Sequence, residues 1–126
     1  MDEPRSSTGG EELLVVCLCA AWCYICNDFR AAFAGLARAH RHVGFIWVDI
    51  EEDRALVGDV DIDDFPTLAV FRGNTPVFFG VTRPQSPVVA RTLASLLGAE
   101  PQPVAVPHQV AALPRSLGSR RREAPA

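Results

Sequence analysis

The chain reads as an α/β domain, a central sheet of about four mixed strands flanked by helices. Three observations predict this. Leu13-Leu14-Val15-Val16-Cys17-Leu18-Cys19 is an apolar run without alternation, which suits a strand covered on both faces. The segment after it carries apolar residues at helical spacing. A second apolar run then follows, and a helical connection between two such strands implies a right-handed parallel crossover. At 126 residues and 48% hydrophobic, the chain is long enough for one small domain with a single core.

The elements follow in order. Residues 1–12 are polar, broken by Pro4 and Gly9-Gly10, and are expected to be disordered. The first helix is expected from about Cys23 to His40, with Ile25, Phe29, Phe33, Leu36 and Ala37 on one stripe. Residues 43–50 form the second strand, and residues 53–58 a short helix with Leu56 and Val57 inward. Asp59 to Asp64 is an acidic loop. Residues 67–71 form the third strand. Arg72-Gly73-Asn74-Thr75 is a hairpin turn into a fourth, antiparallel strand at 76–79, where Pro76 fits an edge. A last helix spans 86–97, carries Val88, Val89, Leu93, Leu96 and Leu97, and stops at Gly98. Beyond it, Pro101, Pro103, Pro107, Pro114 and Pro125 interrupt every pattern, and Arg120-Arg121-Arg122 is basic. Residues 99–126 are expected to be a mostly disordered tail.

The formal net charge of −3 points away from nucleic acid and from anionic membranes. All 12 basic residues are arginine. The N-terminus is acidic and polar, unlike a signal peptide, and no apolar run approaches the roughly 18 residues of a membrane span. The expected location is therefore cytoplasmic, with cysteines mostly reduced at rest. Four cysteines lie between positions 17 and 26, a density that reads as catalytic or metal-binding.

Trp22-Cys23-Tyr24-Ile25-Cys26 carries the chemistry. Two cysteines three positions apart on the first turn of a helix can join within that turn. The helix N-terminus favours thiolate at the first, and a CxxC beside a βαβ pattern reads as a thiol–disulfide exchange centre. Two other readings stay open. Cys17 and Cys19 share a strand face, so a four-sulfur metal cluster is geometrically allowed, although Cys-x-Cys in a central strand is more often two small buried hydrophobes. Asp59, Asp61, Asp63 and Asp64 superficially match a calcium loop, but Asp64 and Val70 stand where that loop needs Gly and Glu. No metal is expected.

With Phe65-Pro66-Thr67 placed forty residues after the second cysteine, the chain resembles the thioredoxin family over residues 13–98. The motif match is W-C-x-x-C together with the proline–threonine loop. The resemblance implies a thioredoxin fold with Pro66 cis, Cys23 as attacking thiolate and Cys26 as resolving thiol. It also implies a Cys23–Cys26 redox disulfide and no other cofactor. Trp22, Tyr24, Ile25, Phe65, Pro66, Thr67 and Gly80 would line the groove for a client. Protein disulfide clients and an upstream reductase are the implied partners, for a monomer or an edge-strand dimer. The alternative function is a redox-inactive thioredoxin-like binding or chaperone module dedicated to one client.

Several positions depart from the family pattern. Tyr24-Ile25 replaces Gly-Pro, and those residues bear on the redox potential. Cys17 stands for the buried aspartate that assists the second cysteine, and Trp47 for the lysine beside it. Acid and base are lost together, which leaves no uncompensated buried charge. Ala31 replaces the helix proline. The family's leading strand and helix have no counterpart in residues 1–12, so the sheet is expected to be trimmed to four strands. The strand at 43–50 is then an exposed edge, which Val104-Ala105-Val106 or a second copy could cover.

Overall fold

The computed structural model describes residues 13–58, 62, 64–98 and 102–117. The expectations for residues 1–12, for Asp59, Asp61 and Asp63, and for the triple arginine lie outside these. Strand β1 is Leu13–Cys19, helix α1 Tyr24–Ala39, strand β2 Gly44–Asp49, helix α2 Arg54–Val57, strand β3 Thr67–Arg72, strand β4 Thr75–Val81 and helix α3 Ser86–Leu97. Two short helices follow, α4 at His108–Ala111 and α5 at Leu113–Ser116.

The sheet order is β2-β1-β3-β4. β1 runs parallel to β2, with Cys17 opposite Trp47, and antiparallel to β3. β4 is antiparallel to β3 across a two-residue turn, with Arg72 paired to Thr75. Gly73 enters that turn at φ 61°, a backbone region glycine adopts without strain. Every residue of β1 is buried, as its unbroken apolar run requires. β4 is longer than expected, so Gly80 lies within it, opposite Leu68.

The two sheet faces carry separate cores. On the first, Leu13, Val15, Cys17 and Cys19 meet Cys26, Phe29 and Phe33 of α1 and Val89 and Leu93 of α3. On the second, Leu14, Val16, Leu18, Ile46, Val48 and Phe71 meet Val57, Val110, Leu113 and Leu117. The α1 stripe passes through Cys26, Phe29, Phe33, Leu36 and Ala37. Ile25, expected on that stripe, is 36% exposed. The helix begins at Tyr24, and its inward face is set by Cys26 three positions before Phe29. Val88 and Leu97 likewise stay outside the α3 core, which Val89 and Leu93 fill.

Residues 102–117 correct the expectation of a disordered tail. The prolines keep the helices to four residues each, but Val110, Leu113 and Leu117 keep helical spacing and are buried. Their positions give the second face a cover that the apolar residues there require. The approach to that face runs past β4, where the Val104 amide donates to the Pro76 carbonyl at 2.9 Å. Val104 therefore meets the β4 end of the sheet, whereas the sequence suggests the 43–50 edge. Among the described residues no helix is long and apolar enough to cross a membrane.

Candidate functional site

β1 ends at Cys19, and the chain turns through Ala20 to Trp22 before α1 begins. The Cys23 amide donates to the Ala20 carbonyl at 3.0 Å, and the Asn27 amide to the Cys23 carbonyl at 3.1 Å. Asn27 also donates from Nδ2 to the Ala21 carbonyl at 3.1 Å. These bonds fix Cys23 as the N-cap of α1, with extended backbone at φ −89° and ψ 112°. Cys23 is a free, half-buried thiol packed against the first core. Cys26, one turn on, is fully buried.

The disulfide in this structure joins Cys19 to Cys26, with Cα atoms 5.9 Å apart, within the usual span for such a bond. The family resemblance implies Cys23 as the partner of Cys26 instead. Cys19 lies on the face of β1 that α1 covers, and Cys26 is the α1 residue aimed at that face, so packing of helix on strand brings the two sulfurs together. Cys17 Sγ lies 3.6 Å from Cys19 Sγ. Since Cys19 has no thiol hydrogen, Cys17 is the donor. Burial pushes the Cys17 thiol far up, and the nearby Arg30 charge opposes this only in part. Cys17 is therefore held as a neutral thiol. Among the described residues no group of three or more metal-ligating side chains is assembled.

Trp47, opposite Cys17, packs on Phe29 at 6.3 Å and Phe33 at 5.3 Å between ring centroids. The Arg30 guanidinium lies 4.6 Å from the Trp47 ring centroid, a cation–π contact. A thiol, an indole and an external guanidinium thus occupy the region where the family resemblance implies a buried acid and base.

The Phe65–Pro66 peptide is cis, the isomer implied by the resemblance. Its loop is tied down at both ends. Thr67 Oγ1 donates to the Asp64 carbonyl at 2.7 Å, and the Thr82 amide donates to the Pro66 carbonyl at 3.0 Å. Trp22 bridges this loop and the cysteine turn. Its ring meets Phe65 edge-on at 5.5 Å between centroids, and its Nε1 donates to Glu51 Oε2 at 3.2 Å. The loop bearing Glu51 is held by Asp49, whose Oδ1 accepts from the Glu51 and Glu52 amides at 2.8 and 3.0 Å. Trp22 at 65%, Tyr24 at 74% and Val81 at 57% are exposed large side chains, the first two flanking Cys23 in the chain and the third paired with Thr67 beside the loop. Among the described residues, a Cβ on Gly80 would meet the Phe78 ring at 3.9 Å, an ordinary van der Waals contact, so none of them requires glycine there.

Sequence reasoning misses two residues of this arrangement. Glu51, which holds Trp22, belongs to no motif. Cys19 reads as core or as a metal ligand; its signal is a shared face with the CxxC helix, seven residues before Cys26.

The Thioredoxin family model matches residues 7–92. Thioredoxin domain-containing protein 8 of Mus musculus is 30% identical over 66 residues, which is 52% of either chain. The thioredoxin of Bos taurus is 27% identical over 66 residues, covering 52% of this chain and 63% of that protein. The chain thus spans about half to two thirds of the length of these relatives. Among solved structures, the germline-specific thioredoxin Deadhead of Drosophila melanogaster superposes with a TM-score of 0.60 at 19% identity, over 70% of this chain and 84% of that one. The Fasciola hepatica thioredoxin gives 0.55 at 22% identity, over 69% and 83%. These structural likenesses speak to the fold, and the family match covers most of the chain. The chain belongs to the thioredoxin family.

Proposed function

We propose that the protein is a thiol–disulfide oxidoreductase acting on protein disulfides, with Cys23 as the attacking thiolate and Cys26 as the resolving thiol. The observation that carries this reading is the free, half-buried Cys23 thiol at the N-cap of a 16-residue helix, three positions before the buried Cys26. Cys23 attacks one sulfur of the client disulfide, which leaves the other client sulfur as thiolate. Cys26, when reduced, then displaces the client from Cys23. The two electrons pass to the client, and the protein keeps a disulfide for an upstream reductase to reduce.

The groove supports an extended client. The loop around Phe65 and Pro66 offers backbone for strand-like pairing, and Gly80 leaves room for a close approach. Trp22, Tyr24 and Ile25 offer apolar contact. Glu51, Glu52 and Asp64 are exposed nearby and favour basic client segments. The protein works in the reducing cytoplasm, as a monomer. β2 ends the sheet, and sedimentation of a dimer would show pairing along that edge. Catalysed reduction of a protein disulfide by dithiothreitol, lost in Cys23→Ser, tests the activity. A wild-type rate no faster than dithiothreitol alone refutes it.

A second reading, a redox-inactive binding or chaperone module, is favoured by one observation. Cys26 is bonded to Cys19, which leaves Cys23 without its resolver in this state. Full biological activity of Cys23→Ser would select this reading.

A further inference from the structure

We propose that Cys19 is a third exchange residue, which takes Cys26 over from Cys23 and stores the disulfide in the core. The inference rests on the reading of Cys23 as the exchange thiol. Four sulfurs follow one another from surface to interior. Cys23 is half-buried and free, Cys26 and Cys19 are fully buried and joined, and Cys17 lies 3.6 Å beyond Cys19. Cys23 and Cys26 sit three positions apart at the start of one helix, so their side chains are neighbours. Cys26 therefore lies within reach of two partners and can bond only one.

The step conserves electrons and needs no outside oxidant. In storage, the Cys19 thiolate attacks Cys26 Sγ of a Cys23–Cys26 disulfide. The Cys26–Cys19 bond forms, the Cys23–Cys26 bond breaks, and the electron pair leaves on Cys23 at the surface, which takes a proton from water. When the stored disulfide returns to the surface, the direction reverses. The Cys23 thiolate attacks Cys26 Sγ, and the pair leaves on Cys19. A thiolate buried there is costly unless it is hydrogen-bonded, and the Cys17 S–H is the donor in place. Because burial keeps Cys17 protonated, it serves as this donor and not as a competing nucleophile. This is a positioning role for Cys17.

The consequence is functional. A client disulfide taken up at Cys23–Cys26 moves inward, and the surface thiol is free again. The stored bond has no exposed sulfur, so a reductant reaches it through Cys23.

The test is a time course of disulfide mapping on the full chain. The reduced protein is mixed with one equivalent of oxidised glutathione, quenched in acid, alkylated and mapped by mass spectrometry. All four cysteines lie between Arg5 and Arg30, so trypsin leaves them in one peptide. Cleavage after Leu18, Trp22 and Tyr24 separates them. The expected course is a Cys23–Cys26 disulfide that rises and then falls as Cys19–Cys26 grows, ending with Cys23 alkylated. In Cys23→Ser, which keeps the buried sulfurs intact, Cys19–Cys26 should form at least ten-fold more slowly. In Cys19→Ala or Cys19→Ser, the course should stop at Cys23–Cys26. A wild-type end state of Cys23–Cys26 overturns the proposal, as does an unchanged rate in Cys23→Ser. Turnover of a protein disulfide by the wild type is scored separately. Its absence refutes the proposed activity, while the mapping alone decides the storage step.

Discussion

Replacing Leu113 by alanine tests whether the C-terminal segment is part of the core. Leu113 opens α5, is fully buried, and packs with Val110 and Leu117 on the second face of the sheet. A buried Leu→Ala change costs about 2–5 kcal/mol, the removed transfer free energy plus a cavity term that shrinks where the surroundings relax. α5 has four residues and lies at the periphery, so relaxation is easy and the lower half of that range applies, about 2–3 kcal/mol. A loss of this size is a large share of the ~5–15 kcal/mol that holds a domain together. At about 4 °C per kcal/mol for a domain of this size, the midpoint should fall by ~10 °C. Urea titration and thermal melting followed by circular dichroism read both values. Ser116→Ala, on the exposed side of the same helix, is the control and should stay within about 0.5 kcal/mol. If Leu113→Ala matched that control, α4 and α5 would not be holding the second face, and the reasoning would fail.

Other outcomes follow from the site. Cys17 is held as a thiol when folded and ionises near pH ~8.5 when unfolded. Its contribution is therefore intact below that pH and is lost as pH rises, by about 1.4 kcal/mol per pH unit. Denaturant midpoints of the reduced protein between pH 8 and 10 should fall more steeply than those of Cys17→Ala; equal slopes would contradict the burial argument. Gly80→Val puts branches where, among the described residues, the Phe78 ring is the neighbour. It should raise KM for a protein disulfide several-fold and leave stability within about 1 kcal/mol; unaltered kinetics would remove Gly80 from the groove. Glu51→Ala releases Trp22 from an exposed hydrogen bond, with a stability change of at most about 1 kcal/mol. Trp22 fluorescence should become more mobile, and unchanged anisotropy would speak against Glu51 as its holder.

Much of this molecule is legible in its sequence because local pattern and global packing agree. The unbroken run Leu13–Cys19 demands cover on both faces and has it. The α1 stripe from Phe29 to Ala37 follows from helical spacing, and the Phe65-Pro66-Thr67 loop from the family resemblance. What escapes depends on distance through space. The partner of Cys26 is chosen by how α1 lies across β1, which no spacing within the CxxC motif encodes. Ile25 reads as inward because it stands four positions before Phe29, but it lies in the first turn of α1, where Cys26 is the residue the core covers. The prolines of the C-terminal segment hide the spacing of Val110, Leu113 and Leu117, which is helical and apolar even though each helix is too short to stand alone. A second sheet face lined by Leu14, Val16, Leu18, Ile46 and Val48 needs apolar cover, and that is the physical reason to look there.

The central claim is that Cys23 is the thiol that attacks a client disulfide. The most direct measurement traps that step in the Cys26→Ala variant, where the resolving sulfur is gone. After mixing with a disulfide-bonded protein and quenching with acid, mass spectrometry locates the mixed disulfide. The account predicts one client per chain, attached at Cys23. No adduct, or an adduct at Cys19 or Cys17 with Cys23 free, would contradict it.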